Sequence, residues 1–315
     1  MENALNFVLT DVFSNRPFGG NQLAVFPFAD TLADWVMPAI ARELKLNETV
    51  FVTGKTPDGY KIRIFSPHGE LPFAGHPIVG AASVLAKQFP LVDGECNFVL
   101  HVPAGPVPVE VSGQSKQQNI MIESPMLPTR LQQEVPASDI AAMLSLSEKK
   151  VLVDPTIAQA FSSGIPFFCV PLVDQNAVQS AKLDKSVWSI LLKDKPAPHL
   201  YIFSYGRAGE IHARMFAPGI GIDEDPATGA AAVALGGYLA ANARGQGDQI
   251  KFKIHQGMEM GRPSQILLDV SLKDRLLQSV KLGGRCFEYG RGSFSSEAVH
   301  TVKETMAKLD MGGGN

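Results

Sequence analysis

Two short segments of the sequence carry side chains suited to proton transfer. His76 lies in the run GHP at 75–77, and Asp225 lies in the run EDP at 224–226. A histidine and a carboxylate that face one cleft can act as proton donor and acceptor on opposite sides of a bound molecule. The competing interpretation is that each residue only caps a helix, a common role for aspartate but not for histidine. We favour proton transfer because the two residues hold matching places in a repeat.

That repeat has a period of about 150 residues and joins two pairs of segments. Residues 63–67 (RIFSP) return as 214–218 (RMFAP), and residues 76–82 (HPIVGAA) return as 225–231 (DPATGAA), at offsets of 151 and 149 residues. In each copy we expect a strand that ends at a proline, then a glycine-rich loop, then a helix that begins near Gly80 or Gly229. The sequence therefore predicts an α+β fold of two pseudo-symmetric lobes, residues 1–127 and 128–294.

The two predicted helices would position the site. Residues 80–87 and 229–240 are almost all small or apolar, and a helix that is apolar on every side is a buried one. Each lobe is therefore expected to curl a β-sheet, or a barrel, around one central helix. The first turn of a helix has unpaired N–H groups and a partial positive charge, so two such turns that meet in one cleft would bind a carboxylate.

Short strands and four outer helices account for much of the remaining chain. Alternating and β-branched patterns predict strands at 5–13, 23–26, 49–52, 97–102, 107–111, 118–123, 167–172, 200–204, 250–254, 265–270 and 285–288. Helical patterns predict outer helices at 32–44, 138–144, 184–192 and 297–306. Because a proline breaks a helix interior, Pro38 predicts a kink or a later start in the first of these.

Composition excludes several classes of function. The chain of 315 residues has a net charge of −3, so no basic surplus is present to bind nucleic acid. No run of about 18 apolar residues predicts a membrane span, and residues 1–10 lack the pattern of a secretion signal, so we expect a cytoplasmic protein. The three cysteines are too few and too far apart for a disulfide framework or a zinc cluster. With no dinucleotide motif either, we expect neither a metal nor a cofactor.

Four motifs occur in order along the chain: DVF, PFGGN and AVF within 11–26, NETVF at 47–51, ELPFAGHP at 70–77 and EDPATG at 224–229. With these motifs the chain resembles the PhzF-like family, named for the phenazine-biosynthesis isomerase, which has the diaminopimelate epimerase fold. The resemblance implies a cofactor-independent isomerase or epimerase that moves a proton on a small carboxylic acid. It also implies a homodimer, and a C-terminal segment, about 295–315, that packs on the first lobe.

The resemblance also assigns roles to individual residues. It implies that Glu48 is the main general acid and base, assisted by His76 and Asp225 in the same cleft. The residues alone do not single out Glu48, because a glutamate at the start of a strand is usually solvated. The residues expected to bind the substrate are Asn21, Gly75, Gly80, Thr228, Gly229 and Ala230.

One departure from the family pattern keeps an alternative open. The family often has a hydroxyl residue directly after Thr-Gly, where this chain has Ala230. A methyl group donates no hydrogen bond. Either a backbone N–H suffices at this point, or the substrate differs from the phenazine precursor, or the chain is an inactive homologue that only binds a small carboxylate. A cysteine-dependent racemase is disfavoured, because Cys96, Cys169 and Cys286 lie outside the motifs of the expected cleft.

Overall fold

The computed structural model describes residues 4–114, 118–153, 157–207, 209–243 and 247–298. In these residues one mixed sheet of eighteen strands packs against six α-helices. The predicted α+β class is confirmed, whereas the division into residues 1–127 and 128–294 stays a prediction.

The strands are β1 (Leu5–Val12), β2 (Asn21–Phe26), β3 (Glu48–Thr56), β4 (Gly59–Ser66), β5 (Gly69–Leu71), β6 (Glu95–Val102), β7 (Gly105–Ser112), β8 (Asn119–Glu123), β9 (Thr129–Leu131), β10 (Gln159–Ser162), β11 (Pro166–Pro171), β12 (His199–Tyr205), β13 (Glu210–Ala217), β14 (Ile222–Asp225), β15 (Gln249–Gln256), β16 (Ser264–Lys273), β17 (Leu276–Gly284) and β18 (Cys286–Phe294). The helices are α1 (Val36–Leu44), α2 (Gly75–Leu85), α3 (Ala137–Met143), α4 (Gln175–Ser180), α5 (Lys185–Leu191) and α6 (Gly229–Asn242).

The pairing of the strands repeats along the chain. In the first strand set, β1 to β8, the pairs β2–β3 and β4–β6 are parallel, and the pairs β1–β2, β3–β4, β4–β5, β6–β7 and β7–β8 are antiparallel. The second strand set, β10 to β17, has the same alternation, with β11–β12 and β13–β15 parallel. An antiparallel pair of β8 and β17 joins the two sets, while β18 flanks β1 and β9 flanks β10.

Local sequence explains the strands that were predicted. In β7, Val107, Val109 and Val111 are buried and alternate with more exposed residues, as expected of a strand with one face on the core. In β12 every residue but the last is buried. Its Leu200 and its Tyr201 belong to two different hydrophobic clusters, so this strand lies between two packed layers.

Among the helices of the described residues, α2 and α6 are the two that are buried almost throughout. Strands from both ends of the first set, β1, β2, β3 and β8, contact α2, and β9, β10, β11, β16 and β17 contact α6. The predicted start at Gly229 is confirmed, but the predicted start at Gly80 is wrong, because α2 begins at Gly75. The early start is possible because Pro77 falls in the first turn, where its missing N–H has no partner to lose.

The structure corrects the predicted alignment of the two copies. Strands β4 and β13 match at the predicted offset, but the connection after β13 is three residues longer than the one after β4. Gly75 therefore corresponds to Gly229, and His76 to Ala230. The predicted equivalence of His76 and Asp225 is wrong, because Asp225 ends β14 while His76 lies in the first turn of α2.

A duplicated ion pair supports this alignment. Arg63 donates two hydrogen bonds to the carboxylate of Glu70, at 2.8 and 2.7 Å. Arg214 donates two to the carboxylate of Glu224, at 2.8 and 2.9 Å. Each arginine thus holds the residues that precede a buried helix against the preceding strand.

The outer helices follow the prediction in part. α1 starts at Val36 rather than at residue 32, with Pro38 in its first turn, and α3 and α5 lie close to their predicted ranges. The predicted helix at 297–306 lies largely outside the described residues. Among the residues described, no helix is long and apolar enough to cross a membrane. Sequence patterns did not predict α4 or the strands β5, β9, β10, β14 and β17.

Candidate active site

A cavity lies where the two buried helices begin. The first strand set and α2 contribute Asn47, Glu48, Ala74, Gly75 and His76 to its lining. The second strand set, α6 and their connections contribute Ile165, Phe167, His199, Met215, Ala217, Ile220, Ile222, Asp225, Thr228, Gly229 and Ala230. Both copies of the repeat therefore form this cavity.

The starts of α2 and α6 are in direct contact, glycine against glycine. A Cβ added to Gly229 would lie 3.0 Å from Cα of Gly75 and 3.1 Å from the backbone nitrogen of His76. A Cβ added to Gly75 would lie 3.1 Å from Cα of Gly229. This approach requires the absence of a side chain at both positions, since real Cβ atoms rarely come so near to backbone.

Among the described residues, the first backbone N–H groups of both helices have no hydrogen-bond partner. Helical hydrogen bonding starts with the N–H of Ile78 in α2 and of Ala232 in α6. Neither N-terminal cap residue, Ala74 or Thr228, accepts a capping hydrogen bond with its side chain. The helix starts therefore offer several unpaired donors and the positive end of two dipoles, a combination that binds anions.

Glu48 is held beside His76 in the cavity wall. Glu48 is the first residue of β3, and its Oε2 lies 3.1 Å from Nε2 of His76. The side chain of Glu48 is 17% exposed and that of His76 is 7% exposed. The two atoms are not aligned as donor and acceptor, and neither has a hydrogen-bond partner among the described residues. A buried polar atom without a partner is costly, so the wall of the cavity carries two unmet hydrogen-bonding groups.

Asp225 is fixed by a dense set of donors. Its Oδ1 accepts hydrogen bonds from the amides of Asn21, at 3.0 Å, and Asn47, at 2.9 Å. Its Oδ2 accepts one from the hydroxyl of Thr228, at 2.5 Å. Asn21 belongs to the first strand set and Asn47 to the loop before β3, so these bonds tie the two copies of the repeat together beside the cavity.

Gln256 supports this arrangement from behind. Its side-chain nitrogen donates to the backbone carbonyl of Asp225, at 2.8 Å, and to the hydroxyl of Thr228, at 3.0 Å. Its side-chain oxygen accepts from the hydroxyl of Tyr201, at 3.0 Å. Gln256 is fully buried, and its position at the end of β15 gave no signal in the sequence. Asn47 was also missed, although it directly precedes Glu48.

Burial shifts the pKa of three titratable side chains at the cavity. Burial, assisted by the negative charge of Asp225, raises the pKa of Glu48 to about 8. Burial lowers the pKa of His76 to about 3. Burial also raises the pKa of Asp225 to about 6, against the opposing effect of its hydrogen bonds. At neutral pH, Glu48 therefore holds its proton, His76 is neutral and Asp225 is mostly ionised.

Most residues predicted from the sequence reach this cavity. Its lining includes Glu48, His76, Asp225, Gly75, Thr228, Gly229 and Ala230. Asn21 lies behind it, where its amide also donates to the carbonyl of Ala227 at 2.9 Å. Gly80 does not belong to it. A Cβ added there would meet the side chains of Leu23 and Val12 at 2.4 and 2.7 Å, so Gly80 serves helix packing in the core.

The cysteines lie apart from the cavity lining. Cys169 is fully buried, and burial raises the pKa of its thiol well above the usual range. Burial also raises the pKa of Cys286, to about 12. Thiols of this kind are inert at neutral pH. In the part of the chain that the structure describes, no group of three His, Cys, Asp or Glu side chains is placed to hold a metal ion.

Comparison with known proteins identifies the family. The family model described as "Phenazine biosynthesis-like protein" matches residues 10–290. The chain belongs to the phenazine biosynthesis-like family. It is 35% identical to an uncharacterized isomerase of Mesorhizobium japonicum, covering 91% of this chain and 97% of that protein.

Two further members of the phenazine biosynthesis-like family are informative. The chain is 32% identical to the trans-2,3-dihydro-3-hydroxyanthranilate isomerase of Pseudomonas aeruginosa, covering 91% of this chain and 98% of that enzyme. The fold matches a crystal structure of a PhzF-family protein of Bacillus anthracis with a TM-score of 0.82, at 22% identity, covering 93% of this chain and 99% of that one. The predicted family and the prediction of an isomerase are confirmed.

Proposed function

We propose that the chain is a cofactor-independent isomerase or epimerase that moves a proton on a small carboxylic acid, with Glu48 as general acid and base. The observation that carries the proposal is the carboxyl group of Glu48, which is buried beside two abutting helix starts and has a pKa raised to about 8. A group poised near neutral pH can both take and return a proton. By its name, the Pseudomonas aeruginosa relative isomerises trans-2,3-dihydro-3-hydroxyanthranilate, which is a small carboxylic acid.

The free N–H groups would hold the carboxylate of the substrate. Those of Gly75 and His76 start α2, and those of Gly229 and Ala230 start α6. At pH 7 about a tenth of Glu48 is ionised, as follows from a pKa of about 8. In that form it takes the proton from a carbon next to an activating group, and the C–H electron pair becomes an enolate-like system. The helix starts stabilise the charge that develops.

The proton then returns to the substrate at a second carbon or on the other face of the first one. The C–H bond that forms uses the electron pair of the enolate, so the reaction needs no oxidant, reductant or added water. His76 is neutral and lies 3.1 Å from Glu48, which places it to pass this proton or to orient the acid. Asp225 stays ionised and its charge favours the protonated form of Glu48.

Several finer predictions belong to the same proposal. The first and second strand sets would be two lobes, residues 1–127 and 128–294, each curled around α2 or α6, with the active site between them. The segment at about 295–315 would pack on the first lobe. The homodimer and the cytoplasmic location also stay predictions.

A screen in deuterated water tests the proposal. The native protein is incubated with a panel of small carboxylic acids in deuterated water, and each acid is scored by its gain in mass. We expect at least one acid to gain one mass unit per exchanged hydrogen. Complete alkylation of accessible thiols should leave this activity intact, whereas its loss would point to a cysteine-dependent mechanism.

Ala230 favours one alternative function. Its side chain places no hydroxyl at this point of the cavity lining, which suits a homologue that binds a small carboxylate without turnover. In that case acids from the panel would raise the melting temperature without any gain in mass.

A further inference from the structure

The cavity wall formed by residues 165–222 has a composition of its own. Its apolar members are Ile165, Phe167, Met215, Ala217, Ile220 and Ile222. One polar side chain, that of His199, lies in the same stretch of the lining. A wall of this kind binds an apolar body and recognises one polar group on it.

His199 is buried with an unsatisfied ring. His199 is 7% exposed, and the Nδ1 atom of its ring has no hydrogen-bond partner among the described residues. The ring centroid lies 5.8 Å from that of Phe167, at an interplanar angle of 52°, so packing fixes its orientation. A buried nitrogen without a partner costs stability, and a ligand in the cavity would supply the missing bond.

The repeat places His199 where the other copy has Glu48. Glu48 is the first residue of β3, and His199 is the first residue of β12. The following residues pair identically, Thr49 opposite Phe65 and Leu200 opposite Phe216. The two copies thus bring a polar group to the cavity from the same position of the same strand.

We propose that His199 binds a hydroxyl substituent of the substrate, so that the ligand is a small carboxylic acid with an apolar body and a second polar group. The inference rests on the proposed function for the position of the carboxylate at the helix starts. Burial lowers the pKa of His199, so its imidazole is neutral at neutral pH. A neutral imidazole has one donor and one acceptor, which matches a hydroxyl group.

Binding of matched aromatic acids tests this inference. The probes are benzoate and its 2-, 3- and 4-hydroxy derivatives, which differ by one hydroxyl group, and calorimetry measures their dissociation constants. At least one hydroxybenzoate should bind the native protein about tenfold more tightly than benzoate, as one added buried hydrogen bond implies. The advantage should vanish in His199→Leu and persist in part in His199→Gln.

Two controls keep the outcome interpretable. Met215→Leu, in the apolar part of the wall, should keep the hydroxyl preference. The 15N shifts of the His199 ring, recorded in the native protein, should move with the preferred hydroxybenzoate more than with benzoate. The proposal is overturned if no hydroxybenzoate binds more tightly than benzoate, if the preference survives in His199→Leu, or if the ring shifts are the same with both acids.

The outcome is separable from that of the proposed function. The affinity comparison needs no turnover, and the isotope screen needs no discrimination between hydroxylated and plain acids. Exchange without hydroxyl preference would refute the role of His199 alone, whereas hydroxyl preference without exchange would support His199 and refute the isomerase mechanism.

Discussion

The raised pKa of Glu48 has a consequence for stability that can be measured without a substrate. In the unfolded chain Glu48 loses its proton near pH 4.5, whereas in the folded protein it keeps it up to about pH 8. Folding stability therefore falls as pH rises through this window. Relative to Glu48→Gln, the free energy of unfolding of the native protein should fall by at most about 3 kcal/mol by pH 7 and by at most about 4 kcal/mol by pH 8, where half of the folded protein has itself ionised Glu48. Partial solvent access at the carboxyl makes these upper limits.

Urea unfolding at half-unit steps from pH 4.5 to pH 9 measures this difference. The two proteins should have nearly equal free energies of unfolding at the acid end, and the variant should become increasingly more stable toward pH 8. Glu43→Gln, on the exposed face of α1, is the matched control and should follow the native protein throughout. A constant difference between Glu48→Gln and native protein across this range would refute the burial argument.

Three further changes probe the surroundings of the site. Gly229→Ala forces a Cβ against backbone at 3.0 Å and should cost about 1–3 kcal/mol in urea unfolding. Gly236→Ala should cost less, because the added Cβ meets the side chains of Val280 and Val270, at 3.0 and 3.4 Å, and not backbone; an equal loss of stability in the two variants would contradict this. His76→Gln should become more stable relative to the native protein as pH falls from about 6.5 toward 3, because in that range the unfolded native chain protonates His76 and the folded protein does not. The urea midpoints of both proteins at pH 7 and pH 5 check this, and a difference in midpoint that is the same at both pH values would count against it. Thr228→Val removes the hydroxyl that donates to Asp225 and should lower the free energy of unfolding by about 1–2 kcal/mol, measured as a lower melting temperature. An unchanged melting temperature would show that this hydrogen bond does not stabilise the protein.

Local patterns were sufficient for most of the strands, because burial alternates with the strand period. β7, with its alternating valines, is an example, whereas β12 was predicted from its continuous run of mostly apolar residues. β17 escaped detection because its first half is largely exposed and its end carries two glycines. Gly283 there would place a Cβ 1.9 Å from the carbonyl oxygen of Ile120, so the glycine is set by the contact with β8, which no local pattern reveals.

The repeat could be found in the sequence but not correctly aligned. Matching Pro77 with Pro226 follows the small residues of the two helices, yet the structure matches Pro72 with Pro226. The deciding feature, the ion pair of an arginine in β4 or β13 with a later glutamate, is a tertiary contact. With that alignment error, the expected positions of Gly80 and His76 relative to the start of α2 were also wrong.

The site residues differed in how clearly the sequence pattern predicted them. Glu48 was named only through the family resemblance, since its burial depends on elements distant in the chain. His199 had a usable signal, its offset of 151 residues from Glu48, which equals that of the RIFSP and RMFAP segments. Gln256 had none, because its hydrogen bonds to Asp225 and Tyr201 depend on how β15 packs behind the cavity.

The most direct test of the role of Glu48 is the rate at which solvent deuterium enters an acid that the native protein labels. Glu48→Gln keeps the shape of the side chain but has no ionisable proton. We expect this variant to fold, to bind the acid and to incorporate no deuterium, while Glu43→Gln labels the acid at the native rate. Labelling by Glu48→Gln at the native rate would show that another group moves the proton.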